Sequence, residues 1–520
     1  MTRALRDFPG GIQLAGNKGE STSRPSMTAP LPRRVVIPLD QHIGEPARPV
    51  VKPGQRVRTG ELIGSPEGYL SAGVHASITG EVEAVEERPV PHPSGLPALC
   101  VVIAGDGTDE WIPAAAQQTD AMSRGALRRR LREAGIVGLG GAAFPTAVKV
   151  NTGPESAVEQ LILNGAECEP YISCDEMLMR ERAGAVVDGA LLLMRALDTR
   201  QCLIGVEDNK PEAIETLSAA ISTIAAEGVE VVPVPTRYPG GGEKQLIYTL
   251  TGKEVPSHGL PADVGVVCQN VGTAAAVHDA LRHGRPLVER YVTITGPGVA
   301  GPGNVRARIG TPMHELIALC GGYTGDPDRL IMGGPMMGFG LSDDDLPVVK
   351  GTNCLLVTTE TRFPRPDQAM PCIRCGACTE VCPAGLLPQQ LYWHARAKDL
   401  DRVRDYDLFD CIECGACAYV CPSHIPLVQY YRFAKSEVRA QEEERHRADI
   451  ARQRYELRQA RLEREQRERE EKRQRKKAAL REKEKSTEDR KAAVQAALQR
   501  KRGEAGTSSQ DTSASQDDDG

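Results

Sequence analysis

Aromatic residues make up only 4% of this 520-residue chain, with two tryptophans and six phenylalanines. That scarcity argues against the stacking platforms by which proteins hold single-stranded nucleic acid, and no nucleic-acid partner is expected. No apolar run approaches the 18 or more residues that a bilayer-spanning helix needs, and the opening "MTRALRDFPGGIQLAGNKG" lacks the apolar stretch of a secretory signal. The chain is therefore expected to stay in a reducing compartment, where its 15 cysteines serve as metal ligands or small buried residues rather than disulfides. Lysine is missing between Lys52 and Lys149. That stretch holds "VKPGQRVRTGELIG" and "VHASITGEVEAVEE", which resemble the barrel-sandwich domains that carry biotin or lipoate. Such carriers need a lysine on a hairpin, so a structural or docking barrel is expected over 31–110.

Charge is unevenly spread. Residues 435–503 hold 24 Lys/Arg against 15 Asp/Glu, about +9, whereas the whole chain is −6. Up to Arg502 this stretch contains no Gly or Pro and has Glu–Arg pairs at helical spacing, such as Glu463–Arg467 and Glu465–Arg469, so it predicts a long solvated helix. Its leucines keep no heptad register, which excludes a stable coiled coil. Residues 504–520 read as a disordered acidic end, and 1–30, rich in Gly, Ser and Pro, as a loop or an arm that orders on docking.

Eight of the cysteines form two copies of one grid, C-x2-C-x2-C-x3-C-P: "CIRCGACTEVCP" (Cys372 to Pro383) and "CIECGACAYVCP" (Cys411 to Pro422). Three thiolates so closely spaced fit three corners of an iron–sulfur cube, and the spacing is that of bacterial ferredoxins. A zinc site would leave the fourth Cys-Pro unexplained. In two-cluster ferredoxins the fourth cysteine of one grid ligates the other cluster. The expected sets are thus Cys372, Cys375, Cys378 and Cys421 for one 4Fe–4S cluster, and Cys411, Cys414, Cys417 and Cys382 for the second. The stretch between the grids looks helical and permits the fold-back.

Between 122 and 288 strand-like and helix-like runs alternate: "QLILNGAE", "DEMLMRERAGAVVDGALLLMRAL", "CLIGVED", "PEAIETLSAAISTIAAEG", "VEVVPVP". Such alternation predicts a mostly parallel α/β sheet with its site at the strand ends. The glycine-rich "GIVGLGGAAFPTAVK" lets backbone approach a bulky anionic or planar ligand, but it lacks the spacing of a Rossmann dinucleotide loop. With "LILNGAECEPYISCDEMLM", "YPGGGEKQLIYTLTGKEVP" and "VVCQNVGTAAAV", it resembles the FMN- and NADH-binding subunit of respiratory complex I.

The resemblance implies that Gly138, Gly140, Gly141 and Lys149 border the FMN. It implies that Asn164, Glu167, Asn270 and Thr273 hydrogen-bond flavin ring, ribityl or phosphate groups, and that Glu243 lies near the nicotinamide nucleotide. Three positions depart from that family: Leu139 stands where it has Arg, Ala143 where it has Gly, and Lys244 where it has a second Glu. "NVRARIGTPMHELIALCGG" resembles the β-grasp soluble-ligand-binding domain, expected over 289–346, and the ferredoxin-type domain is expected over 360–434.

The whole order is multidomain α/β: barrel-sandwich, flavin-type α/β domain, β-grasp, double-cluster ferredoxin domain, charged helix. It resembles the C component of the Rnf electron-transport complexes, including "FPGG", "NGAECEPY" and "GLPADVGVVCQNVGTAAAV". That resemblance implies a peripheral subunit on the cytoplasmic face of the bacterial inner membrane. It also implies FMN and two 4Fe–4S clusters as cofactors, and NAD(H), ferredoxin and the other subunits as partners, with electron transfer coupled to ion movement. The alternative is an electron-relay adaptor with a degenerate flavin site.

Overall fold

The computed structural model describes residues 4–113, 119–153, 157–364 and 368–505. Two compact units divide the chain at Lys435.

In the first unit, two small sheets form the barrel-sandwich. One orders Arg34–Pro38, Pro97–Gly105, Gly80–Pro89 and Arg56–Val57, and the other Arg48–Pro49, Leu62–Ser65 and Val74–His75. Alternating residues such as Val35, Ile37, Val101 and Ile103 are fully buried, as period-2 apolar patterning requires.

The central sheet comprises β1 (Gln160–Gly165), β2 (Cys202–Glu207), β3 (Val229–Val234) and β4 (Val266–Asn270), all parallel, in the order β3-β2-β1-β4. Both faces are covered. Leu161 and Leu163 of β1 enter the core beneath helices α2 (Ala183–Leu197), α3 (Pro211–Ile224) and α5 (Val271–Arg282), while Ile162 enters a separate core under α4 (Glu243–Thr251). The short α1 (Cys174–Glu181) precedes α2. Gly189 lets α2 approach α5 closely, because a Cβ there would lie 1.9 Å from the Ala274 carbonyl oxygen. The chain leaves β1 in one direction through β2 and β3 and returns to its other side as β4. The switch point therefore falls between β1 and β4, where open α/β sheets form their ligand crevice.

The β-grasp sheet exceeds the expected 289–346. It contains β5 (Glu289–Thr295), β6 (Gly303–Arg308), β7 (Pro327–Met332), β8 (Phe339–Leu341) and also β9 (Cys354–Thr359), which pairs in parallel with β5. Met27–Thr28 adds the outermost strand beside β6. The segment expected to be an arm or loop is thus woven into the unit. Phe8 is buried, Ile12 exchanges two backbone hydrogen bonds with Tyr238 (2.8 and 2.9 Å), and Gly11 N–H donates to the Val381 carbonyl at 2.9 Å. The segment's own apolar-poor sequence gave no sign of this, because the stabilising partners lie hundreds of residues away.

The stretch between the cysteine grids is helical over Pro388–Ala397 and Leu400–Asp405. A continuous helix runs Leu427–Ala505. In the second unit its side chains are almost all exposed. Its ion pairs include Asp449–Arg452 at 3.7 Å and Arg461–Glu465 at 3.6 Å, so Glu465 turns to Arg461 and not to the expected Arg469. Apart from 504 and 505, which end that helix, the expected disordered end lies outside the described residues. Among the described residues no helix is long and apolar enough to cross a membrane.

Candidate flavin crevice and cluster sites

Asn164 and Asn270 are register partners at the carboxyl ends of β1 and β4, directly at the switch point. The glycine loop hangs over them. Val137 bridges Pro145, and Gly138 N–H donates to the Phe144 carbonyl at 2.8 Å, closing a tight loop whose tip, Gly140 to Ala142, is exposed. A Cβ on Gly140 would sit 3.5 Å from the Asn270 side chain, while one on Gly141, at φ +113°, would meet nothing within 4 Å. The bare tip leaves room for a planar or anionic group to approach backbone amides. In this respect the residues present fit a flavin mononucleotide.

The other expected contacts divide. Lys149, expected to border the FMN, and Glu243, expected near the nicotinamide nucleotide, form an ion pair at 2.6 Å. Asn164 donates from Nδ2 to the Gly241 carbonyl at 2.7 Å and accepts Ala166 N–H at 3.1 Å, tying the end of β1 to the Gly240–Gly242 segment. Asn270 caps α5 through Gly272 N–H at 2.8 Å and donates to Asp175 at 2.6 Å. Thr273 is fully buried, and its hydroxyl accepts Leu139 N–H at 2.9 Å. It holds the loop from below rather than facing open space.

Glu167, at φ +51°, turns inward as well. Its carboxylate accepts the first amides of α1, Asp175 N–H at 2.7 Å and Glu176 N–H at 3.2 Å, and Lys18 from the N-terminal segment lies 3.9 Å away. Burial raises the Glu167 carboxyl, against the pull of Lys18, and the neighbouring Asp175 raises it further. Asp175 is raised by the same burial despite its bond to Asn270. Glu167 and Thr273 thus spend these bonds on the α1 amides and on the glycine loop.

Lys244 explains its own departure. Its ammonium donates to the Pro256 carbonyl at 3.1 Å and lies 3.4 Å from Asp410, one residue before Cys411. A lysine here joins the α/β domain to the cluster domain, where a second glutamate would repel Asp410.

Two cavities gather the cysteines. One is lined by Cys372, Cys375, Cys378 and Cys421, and the other by Cys382, Cys411, Cys414 and Cys417. Each draws three sulfurs from one grid and the fourth from the other. The grids share local geometry. Arg374 and Glu413 both sit at φ +58°, each donating its N–H to the grid's first sulfur at 3.4 Å, with Gly376 and Gly415 following at φ +83° and +78°. Thiolates converging on a pocket with amides aimed at sulfur are the donor set an iron–sulfur cube requires.

Family models match four stretches: the Nuo51 FMN-binding domain over 131–279, the RnfC barrel sandwich hybrid domain over 6–108, the SLBB domain over 291–340 and the 4Fe-4S dicluster domain over 371–425. These, with the crevice and the paired cysteine cavities, define a flavin and iron–sulfur electron-transport protein. The chain is 52% identical over 464 residues to the C component of the ion-translocating oxidoreductase complex of Pseudomonas aeruginosa, covering 89% of this chain and 60% of that one. It is 48% identical over 463 residues to the same component in Yersinia pestis bv. Antiqua, covering 88% of this chain and 74% of that one. The chain belongs to this family, the C components of ion-translocating oxidoreductase complexes. It spans about 60% of the length of the Pseudomonas relative. Among solved structures, the NAD+-reducing [NiFe]-hydrogenase in the H2-reduced state covers 62% of this chain and 65% of that chain at 20% identity with a TM-score of 0.43, too low to carry an argument.

Sequence reasoning missed Lys18, Asp175 and Tyr238. Asp175 carried a signal, since an acidic residue in the first turn of a helix beside a strand end is placed to meet an N-cap asparagine.

Proposed function

We propose that this chain is a peripheral subunit of a membrane-bound complex that moves electrons between NADH and ferredoxin and couples that flow to ion translocation. The β1/β4 crevice would hold FMN, Cys382, Cys411, Cys414 and Cys417 the nearer cluster, and Cys372, Cys375, Cys378 and Cys421 the farther one, which together would supply the electron route. A bound flavin supplies the exchange between two-electron hydride chemistry and one-electron cluster chemistry. The chain's own residues do the rest. The glycine loop presents amides, Asn164 and Asn270 fix the strand ends, and Lys149 holds Glu243 at the crevice mouth.

One observation carries the order of clusters. The second cysteine set is packed against the flavin-type domain, with Tyr238 Oη donating to the Cys414 carbonyl at 2.6 Å and Gln245 Nε2 donating to the Pro383 carbonyl at 3.4 Å. The first set includes the exposed Cys375, and faces an outside acceptor. The commitment of Lys244 to Asp410 favours one competing reading, an adaptor that wires other subunits together without taking hydride itself. Anaerobic purification followed by denaturation should release FMN, and NADH should bleach the flavin band of the intact protein. Retained flavin that NADH does not bleach makes the chain a relay, and absence of flavin from several preparations refutes the proposal.

A further inference from the structure

Glu169 lies two residues past Glu167 on the loop that leaves β1, yet it points away from the crevice. Its Oε1 accepts two amides of the β-grasp turn, Met336 N–H at 2.7 Å and Met337 N–H at 3.0 Å. The fit is close, since a Cβ on Gly334 would fall 2.2 Å from Glu169 Cγ. The far side of the same turn presses on the inner cluster loop, where a Cβ on Gly415 would lie 2.9 Å from the Met336 carbonyl oxygen. The buried Tyr238 completes the contact. Its hydroxyl donates to the Cys414 carbonyl at 2.6 Å. Apolar packing closes around this line, with Tyr238, Cys414 and Ala416 at the centre and Ile12, Cys168 and Met336 against them.

From this we infer that Glu169 and Tyr238 are positioning residues for electron transfer: with the Gly333–Gly338 turn they form the spacer that fixes the inner cluster against the loop bearing the flavin crevice. Each transfer moves one electron from the reduced flavin to the oxidised inner cluster, oxidising the first by one electron and reducing the second by one. Neither Glu169 nor Tyr238 gains or loses charge in the step. Their part is to hold a dry, rigid gap, whose length an unpinned turn would let vary. A carboxylate holding two amides has a near-isosteric substitute in glutamine, whose oxygen accepts the same amides. Alanine leaves both amides without that partner.

The inference rests on the flavin-to-cluster route proposed above, and the test separates the two. The full chain with FMN and both clusters bound is reduced at its flavin by a light flash with a tertiary amine as electron donor. The rate at which flavin absorbance recovers as cluster absorbance bleaches is then recorded. Glu169→Gln should match the parent. Glu169→Ala should slow the transfer about tenfold with FMN and iron content retained, since sub-ångström misplacement of reacting partners costs that order of rate. Tyr238→Phe keeps the ring and removes only the hydroxyl, and should slow transfer severalfold even if Glu169→Ala fails to hold its clusters. Parent-like transfer in Tyr238→Phe, or a Glu169→Gln as slow as Glu169→Ala with both cofactors retained, overturns the inference. A parent protein whose reduced flavin never bleaches the clusters overturns the route itself.

Discussion

The two cysteine sites have the same backbone and different surroundings. In the outer site Cys375 is exposed, Ile373 beside it is 68% exposed, and Arg374 points to solvent. In the inner site Cys414 and Cys417 are buried. There the residue equivalent to Arg374 is Glu413, clasped by Arg432 at 2.9 Å and Lys435 at 2.8 Å, while Lys435 also donates to the Cys411 carbonyl at 2.6 Å. One repeated grid thus supplies two chemically distinct sites. Cluster potential follows charge, hydrogen bonding and exposure, so a duplicated motif can give an ordered pair once the rest of the chain packs on only one copy.

The comparison breaks most severely at Gly10. With φ +64° and a Cβ that would fall 2.6 Å from the Cys382 carbonyl oxygen, Gly10→Val should push the N-terminal segment off the inner loop. Iron analysis should then show loss of about half the iron, the share of one of two cubes, with the surviving electron paramagnetic resonance signal that of the outer cluster. Equal loss from both clusters would contradict the asymmetry.

A smaller effect is expected from charge. Burial acts to raise the Glu413 carboxyl, but the hydrogen bonds and charges of Lys435 and Arg432 outweigh it and hold the group below the ordinary carboxylate range. Glu413→Gln removes a negative charge beside the inner cluster and should raise its midpoint potential by roughly 20–60 mV, on the order of 1 kcal/mol for one electron. Arg374→Glu should lower the outer potential by less, because solvent screens an exposed charge. Redox titration of each cluster checks both signs.

The smallest effect should come from the tail. A chain stopped at about residue 445 should retain both clusters and all flavin reduction. A stop at Ala434 would not be neutral, because it removes Lys435 from Glu413 and Cys411. Cluster content and flavin bleaching of the two truncations decide the matter.

Much of this was legible in the sequence, for a physical reason. Cysteine spacing, strand–helix alternation and glycine loops are local, and the covalent chain fixes their geometry within a dozen residues. Asn164 and Asn270 were singled out by the family resemblance, and the sheet makes them register partners. What stayed hidden was long-range. Nothing near Lys244 announces Asp410, nothing near Glu167 announces that a left-handed backbone turns its carboxylate onto α1, and nothing between 1 and 30 announces that the segment adds a strand to the β-grasp sheet. The grasp boundary at 346 missed β9 for the same reason, since Cys354–Thr359 finds its partner β5 across the whole domain.

The N-terminal segment also bears on how the molecule is made. Residues 8–12 rest against Tyr238 and Val381, which lie hundreds of residues further along the chain. Contacts between such distant positions form slowly, because loop closure must precede them. Residues 8–12 can make these contacts only once the first cysteine grid has been synthesised. Until that contact forms, the cysteine set that includes Cys382 stays open to iron and sulfide on that side.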